Sequence, residues 1–222
     1  MDGKPPRILS LVLIPALITL ALTVLRLVAE LRDWDPLLAG NEAGGGGAIL
    51  GISWLIFVFG LWFGIRLQRG GGGPASPGRA LALSLLAIAV LIGGFLACQA
   101  AGLIWIPDAE HPGEPRGTPY FVGLMVLGVL IALVAWRRAA LTLLVYAILA
   151  RVPVLAVTWL AVENGWDTHY VKLAPGFPPP PAGELFTFLA TPQVTFWPTA
   201  TILLGTVMAS LGALLSGRPK AS

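Results

Sequence analysis

Residues 139–170 read AALTLLVYAILARVPVLAVTWLAVENGWDTHY, and their reading decides the class of the protein. The stretch starts beside the basic pair Arg137 and Arg138. It then stays apolar for about 24 residues, long enough to cross the hydrocarbon layer of a bilayer. Halfway along stand Arg151 and Pro153; past the apolar zone come Glu163, Asp167 and His169. A guanidinium near the bilayer centre is costly, and such residues usually face the bundle interior or a polar cavity.

The composition agrees with that reading. The chain has 222 residues, 56% hydrophobic and 11% charged, whereas soluble domains carry about 25% charged residues. Its length is therefore taken up by spanning helices. The net charge of +3 says little about partners, because the charges are sorted by membrane side. No basic stripe interleaved with stacking aromatics is present, which excludes nucleic acid as a partner. Cys98 is the single cysteine and lies in an apolar run. An intramolecular disulfide is impossible, and so is a thiolate metal cluster within one chain.

Working outward from Arg151, the pattern predicts an all-α integral membrane protein with six transmembrane helices in a single membrane domain over 1–222. The spans fall at about 8–30, 48–66, 80–105, 119–136, 139–162 and 194–215. The first begins after Lys4 and Arg7 and exceeds the 7–15 residue core of a signal peptide, so it reads as uncleaved. Arg137 and Arg138 make a tight turn between spans four and five, which forces those helices to be antiparallel neighbours. The glycine runs 44–47 and 70–73 lack the Lys-Ser/Thr of a phosphate loop and read as flexible linkers. Residues 163–193 form a Pro-rich extracytoplasmic loop: Pro178 to Pro181 favour polyproline II, and Leu185 to Leu189 form a short interfacial turn. In the last span Gly205, Ala209 and Ala213 repeat at four-residue spacing, a close-approach stripe open to an oligomer contact.

Charge sorting orients the chain. Lys4, Arg7, Arg66, Arg69, Arg79, Arg137, Arg138, Arg218 and Lys220 fall on the ends that six crossings place together, against Arg32, Arg116 and Lys172 on the other. This bias places both termini in the cytoplasm. Trp34, Trp105, Trp166 and Trp197 lie near the outer boundary, Trp62 and Trp136 near the inner one, as an aromatic belt. Richness in Gly, Ala and Pro with short loops points to a bacterial inner (cytoplasmic) membrane.

Candidate chemistry centres on Arg151, about 18–20 Å along its helix and too deep to snorkel easily. Its partner must come from another helix, a freed carbonyl such as that of Leu149, water or a ligand. Gln99 and Glu30 are the side-chain candidates for an interhelical clamp. An anion or lipid-headgroup site is the functional version, with Arg26 as a second cation, and a proton or ion path is the third. Arg26 and Glu30 stand i, i+4 on one helix face, as a local ion pair would. Glu163, Asp167 and His169 form an outer-face polar cluster that suits acid–base work. His111 and His169 show no paired metal-ligand spacing, and no histidine lies in a span to ligate haem. No cofactor or metal is expected. No G-x-S-x-G or HExxH motif occurs. The leading expectation is a non-enzymatic multi-pass protein, accessory or structural. A transporter or binding protein for a small anion or lipid headgroup, entered from the outer face, is the first alternative, and a membrane enzyme with an outer-face acid–base site the second.

Overall fold

The computed structural model describes residues 6–45 and 47–217. Lys4, Arg218 and Lys220, which contribute to the charge sorting above, lie outside the described residues. The described chain is all-helical: α1 (Ile8–Leu31), α2 (Pro36–Ala39), α3 (Leu55–Arg69), α4 (Pro77–Ala100), α5 (Thr118–Asn164), α6 (Leu185–Val194) and α7 (Phe196–Leu215). A single antiparallel bridge, Trp105 with Arg116, is the only β pairing among the described residues.

Four helical segments are long and apolar enough to cross a membrane: Ile8–Leu31, Pro77–Ala100, Thr118–Asn164 and Leu185–Leu215. Their outward faces are apolar. On α1 the side chains of Leu9, Leu13, Leu17 and Val24 follow one another down an exposed stripe. On α4 only Ala80, Ser84 and Ala87 are buried in the bundle. Soluble proteins rarely expose apolar patches of this extent; hydrocarbon is the solvent that these faces fit. This is a membrane protein.

Helix boundaries follow local chemistry. Asp35 caps α2 by accepting from the Leu37 amide at 2.8 Å, with Pro36 at the first helical position. Ser76 and Pro77 open α4 in the same manner. Gly165, at φ 63°, closes α5 in the left-handed conformation that glycine adopts without a Cβ clash.

Helix α5 is two arms, 118–135 and 137–164, joined at Trp136, whose backbone is extended (φ −160°, ψ 85°). The arms run in opposite directions, as their contacts with α7 show. Along the first arm, Phe121 meets Phe196 and Gly128 meets Leu203. Along the second, Leu143 meets Gly205 and Arg151 lies over Trp197. The reversal thus falls at Trp136, not at the basic pair, and Arg137 and Arg138 belong to the second arm. The indole explains the position: Trp136 is buried and its Nε1–H donates to the Gly72 carbonyl at 3.0 Å. Within the glycine run 70–73, expected as a flexible linker, Gly72 is buried and accepts this bond, while Gly71 and Gly73 are exposed.

Three other boundaries shift from expectation. Residues 48–54 are turns and α3 starts only at Leu55. There Trp54 donates its indole N–H back to the Ile49 carbonyl at 3.1 Å, holding the turn. Helix α4 stops at Ala100, short of the expected 105, because Gly102 turns the chain at φ 70°. The Pro-rich loop 163–193 holds most of α6, a full helix rather than a short turn. Thr195 (φ −114°, ψ −72°) breaks the chain between α6 and α7.

The core sits between α3, α7 and the second arm of α5. Phe59, Phe63 and Tyr146 pack edge to face, with ring centroids 5.5 Å (Phe59–Tyr146) and 5.7 Å (Phe63–Tyr146) apart. The Tyr146 hydroxyl reaches Thr19 Oγ1 at 2.9 Å and so ties α1 to the same core. Helices α3 and α7 approach backbone to backbone: a Cβ on Gly60 would sit 2.9 Å from the Gly205 carbonyl oxygen, and one on Gly64 would overlap the backbone of Ala209. The stripe Gly205, Ala209 and Ala213 is buried inside the chain, with α3 packed against it. The physics of small residues in lipid is as expected; the partner helix is intramolecular.

Candidate functional site

The end of the bundle at which α1 and the second arm of α5 finish carries a cavity of about 480 Å³. This lies within the 300–1,000 Å³ range of small-molecule sites. Its cationic lining is Arg26, Arg151 and Lys172, with His169 beside them. Its apolar lining includes Tyr170, Phe177, Phe188, Leu189 and Trp197. No Asp or Glu is among the lining residues.

Arg151 is placed by the middle of the second arm and is 7% exposed. Its Nη1 donates to Gln193 Oε1 at 3.0 Å, and its guanidinium lies 4.9 Å from the centroid of a Trp197 ring. Its Nε is buried without a hydrogen-bond partner. Among the described residues no carboxylate pairs with it. An unmade hydrogen bond on a buried donor costs about 1–3 kcal/mol, so the site holds a donor in want of an acceptor.

Glu30, whose side chain is fully buried in the last turn of α1, ties the surrounding segments together. Its Oε1 accepts from Arg26 Nε at 2.7 Å and lies 2.5 Å from His169 Nδ1. Its Oε2 accepts from the His169 backbone N–H at 2.9 Å. Arg26 Nη2 also donates to the Gly40 carbonyl at 2.8 Å. The Arg26–Glu30 pair thus joins the last turns of α1 to the segment after α2, through Arg26, and to the strap that follows α5, through Glu30.

The expected site residues are therefore sorted by the fold. Arg151, Arg26 and His169 come together around one cavity, with Glu30 bonded to Arg26 and His169. Gln99, expected as a partner for Arg151, is exposed on α4 and does not line the cavity. The amide at Arg151 is Gln193, and Glu30 pairs with Arg26 and His169. The outer-face cluster divides. Glu163 is exposed, and Asp167 pairs with Lys172 and lies 3.4 Å from the Asn41 amide nitrogen. His169 faces inward to Glu30. His111 pairs with Asp108 in an exposed loop. Trp197 was legible as a boundary tryptophan; Gln193, four residues before it at the start of an apolar run, is the site residue that the sequence reading missed. Among the described residues no three His, Cys, Asp or Glu side chains gather to hold a metal ion.

Two effects oppose one another at His169. Burial disfavours the imidazolium, whereas the Glu30 carboxylate favours it; nearby Arg26 already neutralises that carboxylate, so burial wins and the imidazole pKa falls below 6.5. The unfolded chain then takes up the proton first as the pH drops. Stability from this group is fully present above pH 6.5 and is lost as the pH falls towards the lowered folded value. We expect thermal unfolding between about pH 7.5 and about pH 5.5 to show this loss. In His169→Gln the slope should flatten, and an unchanged slope would assign the effect elsewhere. Burial likewise pushes the Tyr170 phenol up, so it stays protonated.

A second recess lies at the opposite end, where α3 and α7 finish. It is lined by Gln68, Ser76 and otherwise glycine, proline, alanine and leucine, with no titratable group. The cavity around Arg151 is the one with chemistry. Compared with protein families, characterised proteins and solved structures, the chain has no significant match.

Proposed function

We propose that the protein crosses a bacterial inner membrane six times, with both termini cytoplasmic, and binds an anionic amphiphile in the outer cavity. The six crossings are α1, α3, α4, the two arms of α5, and α7. The reversal at Trp136 supports counting α5 twice. Helix α3 has 15 residues, about 22 Å at 1.5 Å per residue, a short crossing. It ends in Arg66 and Arg69, on the side where positive charge accumulates.

The observation that carries the binding reading is Arg151: a guanidinium buried at the floor of an apolar-walled cavity, with no carboxylate and one donor unused. Intramembrane ionisable residues without an internal partner commonly mark ligand or ion sites. The aromatic and aliphatic walls suit a hydrocarbon attached to the anion. Below Arg151 the bundle is filled by Tyr146, Phe63 and Leu143, all fully buried, which supports binding over conduction. Glu163, Asp167 and His169 have separate surroundings, which speaks against an acid–base reaction shared among them. A purely structural bundle would leave the orphan Nε without an account.

Native mass spectrometry of the protein purified in mild neutral detergent tests this. We expect an anionic lipid to be retained through detergent exchange at about one per chain. Retention of zwitterionic lipid only, or of none, would remove the reading.

A further inference from the structure

We infer that the ligand of the outer cavity carries a single negative charge, as a carboxylate or phosphodiester on a hydrocarbon chain; this rests on the binding reading above. The argument is a local balance of charge. Arg26 is neutralised by Glu30 at 2.7 Å. Lys172 is paired with Asp167, an exposed residue that does not line the cavity. His169 is kept neutral by burial. Among the lining cations only Arg151 meets no carboxylate among the described residues; its acceptor is the uncharged amide of Gln193. The unbalanced charge is therefore one.

The geometry of the guanidinium agrees. Arginine presents five donors in a planar fork. With Nη1 on Gln193, the edge formed by Nε and Nη2 remains, and Nε has no partner. That edge matches an anion offering two oxygens side by side, the arrangement of a carboxylate or of the two free oxygens of a phosphodiester. A second negative charge would have no cation left to meet it, within walls of Phe177, Phe188, Leu189 and Trp197. Buried charge without a partner is strongly disfavoured. A neutral headgroup fails for the opposite reason, leaving Arg151 as it stands now.

The closing experiment uses the full-length, delipidated protein in neutral detergent and four amphiphiles with matched acyl chains. Oleate and lysophosphatidylglycerol carry one charge, lysophosphatidylcholine is zwitterionic, and lysophosphatidate is mostly dianionic at about pH 8. Tryptophan fluorescence reads binding, because Trp197 lies against Arg151. The expected result is that the singly charged pair binds about tenfold or more tightly than the other two. Stronger binding of oleate assigns a carboxylate, and stronger binding of lysophosphatidylglycerol a phosphodiester; either supports the inference. Tightest binding of lysophosphatidate overturns the charge assignment while leaving the site standing. Equal binding of all four, or no binding, overturns both.

Discussion

Glu30→Ala is expected to lower the stability of the folded protein by about 3–5 kcal/mol, the range for removing one partner of a buried ion pair. The size follows from what the carboxylate leaves behind. Arg26, whose side chain is 6% exposed, would keep a buried charge with its carboxylate gone. The His169 backbone N–H and ring nitrogen would both lose their partner in the same step. Because Glu30 links segments 139 residues apart, the strap that lines the cavity should loosen as well. Glu30→Gln preserves the shape but not the charge, and should fall between wild type and alanine. Chemical unfolding in detergent or bicelles measures both variants. A loss below about 1 kcal/mol for Glu30→Ala, typical of exposed pairs, would show that this carboxylate is not the tie described here.

Arg151→Leu should behave in the opposite way, with unfolding stability within about 1 kcal/mol of wild type and anionic-amphiphile affinity reduced by about a hundredfold. Removing the side chain forfeits one hydrogen bond to Gln193, worth about 1 kcal/mol, and a cation–π contact with Trp197 of about 1–2 kcal/mol. Against this, the desolvation of a guanidinium without a carboxylate disappears, a term of similar size or larger. Binding has no such compensation, since a buried, hydrogen-bonded charge contact is worth about 2–5 kcal/mol. Arg151→Lys keeps the charge without the planar fork and should recover only part of the affinity. A leucine variant that binds the amphiphile like wild type, or unfolds far more readily, would make Arg151 a structural clamp.

Much of the helical layout was legible in the sequence because lipid imposes a simple rule: a spanning segment must be long, apolar and internally hydrogen-bonded. Expectation and structure agree within one residue at α1, and within two at the start of α7. The i, i+4 spacing of Arg26 and Glu30 likewise announced their contact, which depends on helix geometry alone. The errors fall where one residue's environment overrides the pattern. Trp136 reads as the end of an apolar run, and nothing local tells that its indole will reach the Gly72 carbonyl. Gln99 and Gln193 look alike as lone amides at apolar segments; the fold leaves the first exposed on α4 and brings the second, on α6, onto Arg151.

By itself the sequence determined a membrane-embedded, all-helical chain with a cation stranded in one of its long apolar stretches. Hydropathy and charge are additive along the chain, so they survive without knowledge of the fold. Only the tertiary structure decided that Glu30 belongs to His169 as well as Arg26, that Gly205, Ala209 and Ala213 are packed within the chain, and that Arg151 meets an amide and, among the described residues, no acid. Those outcomes depend on which helix faces which, and packing between distant segments leaves no periodic trace in the segments themselves.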